Sequence, residues 1–277
     1  MQGTYIYGIV GFPPELARGI QGLGGNPVRL LPQGDVAAVM SPSPLSPWPL
    51  DEAHLILHET VVEDVMDTRP ILPVRYNTLL RTEEAVITLL AERAQAFRSA
   101  LERVAGRVEM GLRILWEPAA ETGVSPDQEI EERGPGAEYL YQRLREERRR
   151  SRLQAEGETL IHELQASFLC LAVESCLQPL PTKRLLLTAA YLVDRDRVEA
   201  FRKLVTKVWD DFQQLQFLLT GPWPPYHFVN GTEDIELCKT NGKPAARLPP
   251  HPPLSPVGGE DKLAPLSPIG GEDKGEG

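Results

Sequence analysis

The chain has 277 residues, of which 42% are hydrophobic and 25% charged, the proportions of a soluble globular protein with its own core. Its net charge of −10 disfavours general binding to nucleic acid or to an anionic membrane, because phosphate contacts need a basic surface. The opening MQGTYIYGIVG lacks the pattern of a secretory signal, and no run of about 20 apolar residues predicts a membrane span. The three cysteines have no CxxC spacing, so we expect no disulfide framework and no zinc site.

The first part of the chain predicts a small α+β domain that begins with strands. TYIYGIV (4–10) is rich in aromatic and β-branched residues, which favours a strand. Two short apolar runs, at 28–31 and 35–40, flank the turn residues PQG and predict a hairpin. SPSPLSPWP (41–49) is typical of an extended Pro/Ser linker within the domain.

Two helices complete this domain. Asp51 can cap the first and Thr82 the second, whose apolar positions recur with a period close to 3.6. Between them ILPVRY (71–76) predicts a short strand, which its proline confines to a sheet edge or a bulge. Gly106 stands where a glycine commonly follows a helix end, so we predict a first domain at 1–106.

The next segment, 107–230, predicts a second domain with a ferredoxin-like βαββαβ order, an antiparallel sheet with two helices on one face. The overall fold class is therefore α+β. The predicted elements are a strand at 107–116, a helix from Ala137 to about Gln165, strands at 168–177 and 184–193, a helix capped by Asp194, and a strand at 214–220. FLCLAVESCL (168–177) also fits the last turns of the preceding helix.

Two further segments have the composition of unfolded chain. The stretch 117–136 combines acids with turn residues and predicts a flexible insertion. The tail 231–277 is rich in proline and glycine and repeats PLSPVGGEDK as PLSPIGGEDK, which predicts disorder because few apolar groups offset the ordering entropy.

The usual catalytic and cofactor motifs are missing from the sequence, which has no Walker sequence, GxSxG or HExxH. His54 and His58 have the i, i+4 spacing of metal ligands, but no neighbouring third ligand suggests itself. We interpret this pair as part of a packed helix face. Cys170 and Cys176 lie on an apolar stretch and are expected to be small buried residues. We therefore predict no catalytic, cofactor-binding or metal-binding residues.

Six arginines concentrate in RLREERRRSR (143–152). Such a cluster can bind phosphates or an acidic partner. The segment lacks an apolar face and also contains Glu146 and Glu147, so for nucleic acid we favour the alternative of a solvated helix with local ion pairs. An acidic protein partner stays open.

FLLTGPWPPYHFV (217–229) ends an apolar run with a glycine and three prolines around a tryptophan. One interpretation is a PxxP ligand in the polyproline II conformation. We favour another, in which the strand stops at Gly221 while Trp223 and Tyr226 fold back over the sheet and close the core.

Four segments in this order resemble one family, the gas vesicle proteins F and L. They are ILPVRYNTLLRTEEAV (71–86), GAEYLYQR (136–143), LLTAAYLVDRDRVEAF (186–201) and LTGPWPPYHFV (219–229). The opening YIYGIV is similar as well, so the resemblance extends from about residue 4 to 229. These motifs do not separate F-type from L-type members.

The resemblance implies a minor structural or accessory protein of gas vesicles, the gas-filled shells that give prokaryotic cells buoyancy, and not an enzyme. Its expected partners are the major gas vesicle shell protein and other accessory proteins, at the vesicle or free in the cytoplasm. The residues of the motifs that we single out as candidate partner-binding positions are Arg75, Tyr76, Tyr191, Trp223, Pro224, Pro225 and Tyr226. The alternative, suggested by the βαββαβ order alone, is a ferredoxin-like protein that binds a small molecule or haem, or an enzyme.

Overall fold

The computed structural model describes residues 2–11, 19–116, 135–179 and 184–229. These residues form two antiparallel sheets and four α-helices. The prediction for the tail 231–277 and most of that for 117–136 lie outside the described residues, but the end of the latter is wrong, since Pro135 and Gly136 begin a helix.

The chain divides into two compact units. The described part of the first contains the residues up to Met110, Leu192–Arg195 and 221–229. The second contains the described residues of Gly111–Tyr191 and Asp196–Thr220.

The sheet of the first unit is built around one central strand. Its strands are β1 (Gln2–Gly11), β2 (Arg29–Gln33), β3 (Val36–Pro44), β4 (Ile71–Pro73) and β5 (Leu79–Leu80). Their order is β2-β3-β1-β4, and β5 also pairs with β1. In the register of β1, Ile6 lies opposite Met40 of β3 and Ile9 opposite Leu72 of β4. Because β1 is covered on both faces, all of its residues except the two at its ends are buried.

The predicted hairpin and the predicted edge position of β4 are confirmed. The prediction of a Pro/Ser linker at 41–49 is wrong for its first four residues. Residues 41–44 continue β3, with Ser41 opposite Tyr5 and Ser43 opposite Gly3. Beyond Met40, β3 has a neighbour on one side only, since its pairing with β2 ends there. A proline is tolerated in such a strand because its missing N–H faces no second partner.

Both helices of this unit begin at the predicted caps. Helix α1 spans Glu52–Met66, and the Asp51 carboxylate accepts a hydrogen bond from the backbone N–H of His54 at 3.0 Å. Helix α2 spans Glu83–Val104, and the Thr82 hydroxyl accepts one from Ala85 at 3.2 Å. Gly106 has a φ of +69°, the left-handed conformation expected of a glycine that follows a helix.

The second sheet has the strand order β7-β8-β6-β9. Its elements along the chain are β6 (Arg107–Trp116), helix α3 (Pro135–Phe168), β7 (Ala172–Pro179), β8 (Leu185–Asp194), helix α4 (Val198–Asp211) and β9 (Leu215–Trp223). The alternating apolar residues of β6 are buried as predicted. The ambiguity at 168–177 is resolved, since α3 ends at Phe168 and a strand begins at Ala172.

Three local expectations are wrong. Asp194 does not cap α4, because the Asp194 carboxylate accepts a hydrogen bond from Arg107 Nε at 3.1 Å. Instead, α4 follows a 3-10 turn at Arg195–Arg197. Strand β9 continues past Gly221 to Trp223, which an edge strand permits in spite of its proline. The two cysteines expected to be buried are not: Cys170 is exposed in the loop before the edge strand β7, and Cys176 is half-buried within β7.

Candidate functional site

A buried polar cluster of the first unit forms around His58 of α1. The Tyr5 hydroxyl lies 2.9 Å from His58 Nδ1, and it accepts a hydrogen bond from the backbone N–H of Asn77 at 2.9 Å. The proton of that hydroxyl is therefore directed to Nδ1, and the neutral imidazole carries its own proton on Nε2. Burial lowers the pKa of His58 to about 4, although a hydrogen bond with the backbone of Val74 opposes this shift.

Aromatic rings surround His58. Tyr7 stacks on it with ring centres 5.6 Å apart, and Tyr76 meets it edge-on at 5.8 Å. Tyr5 contacts both Tyr7, at 4.9 Å, and Tyr76, at 6.3 Å. Tyr76 comes from the predicted motif at 71–86, so this motif contributes directly to the cluster.

Tyr226 of the C-terminal motif reaches the same cluster. Its hydroxyl donates a hydrogen bond to Glu59 Oε1 at 2.8 Å and lies 3.4 Å from His58 Nε2. The ring is partly exposed, but the hydroxyl is in the interior, and burial followed by the nearby Glu59 carboxylate raises the pKa of Tyr226 well above its usual value. Burial also raises the pKa of Glu59 to about 7, and the neighbouring Glu63 and Glu109 add to that rise.

The next residue, His227, is held by a fully buried carboxylate. Glu109 of β6 accepts a hydrogen bond from the backbone N–H of His227 at 2.9 Å, and its other oxygen lies 2.7 Å from His227 Nδ1. The Arg103 guanidinium of α2 donates to the backbone carbonyl of Phe228. The two contacts with His227 satisfy the Glu109 carboxylate, whose burial without partners would be costly.

The C-terminal motif is therefore anchored to α1, α2 and the start of β6. This corrects the expectation that Tyr226 closes the second sheet. The physical reason is that Tyr226 and His227 have acceptors in the first unit, the half-buried Glu59 and the buried Glu109. Trp223 is half-buried at the end of β9, whereas Pro224 and Pro225 are buried.

Tyr191 belongs to the second unit and is not part of this cluster. Its ring packs against Phe168 at 5.6 Å and Phe201 at 5.4 Å, and it is fully buried. Within the described ranges its hydroxyl has no hydrogen-bond partner, and burial raises its pKa. We find a packing role for Tyr191.

Sequence reasoning missed Tyr5, Glu59, Glu109 and His227. One signal was available for His58, since it shares the buried stripe of α1 with Val61, Val62 and Val65. Glu109 gave none, because a single acid on the polar side of an alternating strand is usually exposed.

His54 and His58, which have the spacing of metal ligands, take two different structural roles. His54 Nδ1 lies 2.6 Å from the capping carboxylate of Asp51, while His58 is enclosed by tyrosines. In the part of the chain that the structure describes, no three His, Cys, Asp or Glu side chains gather as metal ligands would. The same residues include no helix with the length and apolar character needed to cross a bilayer.

An exposed surface adjoins the buried cluster, and we name it the Tyr76 surface: Trp48, Pro49, Leu50, Arg75 and Tyr76. The Tyr76 hydroxyl donates to the carbonyl of Pro49 at 2.7 Å. Asn77 accepts from the Trp48 N–H at 2.8 Å and donates to its carbonyl at 3.0 Å. Leu50, which follows Pro49, is 56% exposed, and Arg75, which precedes Tyr76, is exposed as well. These bonds hold apolar groups at the protein surface in a fixed conformation.

The family model described as gas vesicle synthesis protein GvpL/GvpF matches residues 3–230. The chain belongs to this family. Gas vesicle protein L of a Streptomyces species is 30% identical over 263 residues, covering 86% of this chain and 97% of that protein. Gas vesicle protein F2 of Halobacterium salinarum is 24% identical, with the same two coverages.

Two solved structures share the fold of this GvpL/GvpF family member. Gas vesicle protein GvpF from Anabaena has a TM-score of 0.69 at 22% identity, covering 83% of this chain and 96% of the other. GvpF from Microcystis aeruginosa has a TM-score of 0.67 at 21% identity, covering 82% and 98%. The matched relatives are gas vesicle proteins, so this chain is a protein of gas vesicle formation.

Proposed function

We propose that this chain is a non-enzymatic accessory or minor structural protein that binds the major gas vesicle shell protein and other accessory proteins during assembly. It acts at the gas vesicle or on assembly intermediates in the cytoplasm. Family membership over residues 3–230 supports the role in gas vesicle formation. The observation that carries the binding part is the Tyr76 surface, where exposed apolar groups lie next to a buried cluster that contains two of the family-like motifs.

The Tyr76 surface is suited to an apolar partner because it is already ordered. Three hydrogen bonds fix Trp48, Pro49 and Tyr76, so little conformational entropy remains to be lost on binding. Burial of apolar area contributes roughly 25 cal/mol per Å², so a modest patch supports a weak and reversible complex. A chain that handles apolar shell subunits needs such reversibility.

The candidate residues take different roles in this proposal. Arg75 and Tyr76 meet the partner, and Tyr226 supports them from behind through Glu59 and His58. Pro224 and Pro225 are buried and support the turn that presents Tyr226. Tyr191 stabilises the second unit, and Trp223 is a second candidate contact because it is half-buried.

We also infer that the second sheet is ferredoxin-like and that the chain has domains at 1–106 and 107–230. The element order β6-α3-β7-β8-α4-β9 and the strand order β7-β8-β6-β9 support the first inference. Separate expression of 107–230 tests the second. An independent domain gives a cooperative unfolding transition, whereas a segment that depends on the first compact unit, to which 107–110 and 221–229 belong, does not.

The binding proposal is tested by co-expressing the tagged chain with the major gas vesicle shell protein and measuring the shell protein recovered with it. Leu50→Glu places a charge on the Tyr76 surface and is expected to reduce recovery at least fivefold. Val173→Glu is the matched control, because Val173 is 49% exposed and belongs to the other unit. Recovery that is absent for the wild type, or equal for the two variants, would contradict the proposal.

A further inference from the structure

Helix α3 is covered over only part of its length. Its residues 139–152 are all exposed, which corresponds to about 21 Å of helix at 1.5 Å per residue. Packing begins after them, with Gly157, Ile161, Leu164 and Phe168 buried. We call residues 139–152 the exposed half of α3.

The exposed half is basic in a chain that is acidic overall. It contains six arginines and two glutamates and so has a net charge of +4, whereas the net charge of the whole chain is −10. Arg145 and Arg149, and likewise Arg148 and Arg152, have the i, i+4 spacing at which like charges destabilise a helix. An isolated helix of this length is only marginally stable in water. A negatively charged partner would therefore stabilise the exposed half as well as bind it.

Apolar residues extend the same face. Leu140, Leu144, Arg148 and Arg152 follow one another at i, i+4 steps, and Leu140 and Leu144 are 62% and 55% exposed. Tyr141 is 41% exposed, and the Arg145 guanidinium lies 5.7 Å from the centre of its ring. We call this set the α3 face: Leu140, Tyr141, Leu144, Arg145, Arg148 and Arg152. At 100° of rotation per residue, Glu147 lies at the edge of the α3 face, on the side where Arg143 and Arg150 lie. Glu146 lies on the opposite side of the helix.

We propose that the α3 face is the docking surface for an acidic amphipathic helix of a partner protein. Its carboxylates pair with Arg145, Arg148 and Arg152, and its apolar residues pack on Leu140, Tyr141 and Leu144. The apolar part distinguishes this partner from nucleic acid, for which phosphate contacts alone would be enough. A second copy of the same face is disfavoured, because its arginines would meet arginines.

The proposal is tested with the purified full-length chain and a fluorescently labelled synthetic peptide that has leucines on one face and glutamates on the other. Anisotropy gives its Kd, which Arg148→Glu/Arg152→Glu is expected to weaken at least tenfold. Arg143→Glu/Arg150→Glu reverses the same charge on another side of the same helix and should weaken it less than threefold. Leu140→Ser/Leu144→Ser should weaken binding at least fivefold with no change of charge. Circular dichroism of each variant serves as the control that α3 remains helical.

Several outcomes would overturn the proposal. Failure of the wild type to bind the peptide is one, and an equal loss in the two charge-reversal pairs is another. Polyglutamate bound as tightly as the peptide would indicate plain charge attraction without apolar contact. Tighter binding of a DNA duplex or of phosphatidylserine vesicles would assign the surface to nucleic acid or to a membrane. These measurements use no gas vesicle component, so their result is separate from that of the shell-binding experiment.

Discussion

Tyr226 and Glu59, which are 167 positions apart in the sequence, are joined by a hydrogen bond of 2.8 Å in which the tyrosine hydroxyl is the donor. This bond connects the C-terminal motif to the first helix of the chain. It also sets the environment of Glu59, because the carboxyl group shares the interior with His58 and lies near Glu109.

Removing the hydroxyl tests that connection. Tyr226→Phe keeps the ring but leaves Glu59 without its donor, so we expect a loss of about 1–3 kcal/mol in the free energy of unfolding, measured by urea denaturation. Tyr76→Phe is the control, because its hydroxyl bonds to an exposed carbonyl at Pro49 and should cost less than about 1 kcal/mol. Equal losses of unfolding free energy in the two variants would show that the Tyr226–Glu59 hydrogen bond stabilises the protein no more than the exposed Tyr76 bond does.

Glu59 should make the protein less stable as the pH rises. Its pKa is raised from 4.5 to about 7 in the folded state, so the native protein binds the proton more tightly than the unfolded chain. Its contribution is complete below about pH 4.5 and is lost as the pH rises through 7, by at most about 3 kcal/mol. Glu59→Gln should make the urea denaturation midpoint nearly independent of pH between pH 5 and 8. A wild-type profile that is already flat there, with no dependence on Glu59, would contradict this prediction.

His58 has the opposite dependence. Its pKa is lowered from 6.5 to about 4, so its contribution is complete above pH 6.5 and is lost as the pH falls through 4. Nuclear magnetic resonance of the ring should show no titration of His58 above pH 5. A midpoint near 6.5 would mean that the ring is not enclosed as described.

The pair of Glu109 and His227 should be strongly coupled. Glu109→Ala is expected to cost about 3–5 kcal/mol, since it removes the acceptor of two hydrogen bonds to His227 in the interior. A double-mutant cycle with His227→Ala measures the interaction, and we expect a coupling of about 1–3 kcal/mol. Additive losses would indicate that the two side chains act independently.

The predictable parts of the fold were those in which local chemistry decides. The caps at Asp51 and Thr82 and the alternating strand β6 follow from short-range preferences, and the structure confirms them. The position of Tyr226 was not predictable in this way, because its acceptor lies 167 residues away and Glu59 has an ordinary place on an amphipathic helix. Asp194 failed as a cap for a similar reason, since a distant arginine, Arg107, competes for its carboxylate.

We propose above that the chain supports gas vesicle formation through the Tyr76 surface. The most direct measurement is complementation of a gas vesicle gene cluster that lacks this chain, with vesicle content followed by pressure-sensitive light scattering. We expect the wild type and Val173→Glu to restore vesicles, whereas Leu50→Glu should leave less than about a fifth of the signal at equal protein level. Full vesicle content without the chain, or full restoration by Leu50→Glu, would contradict it.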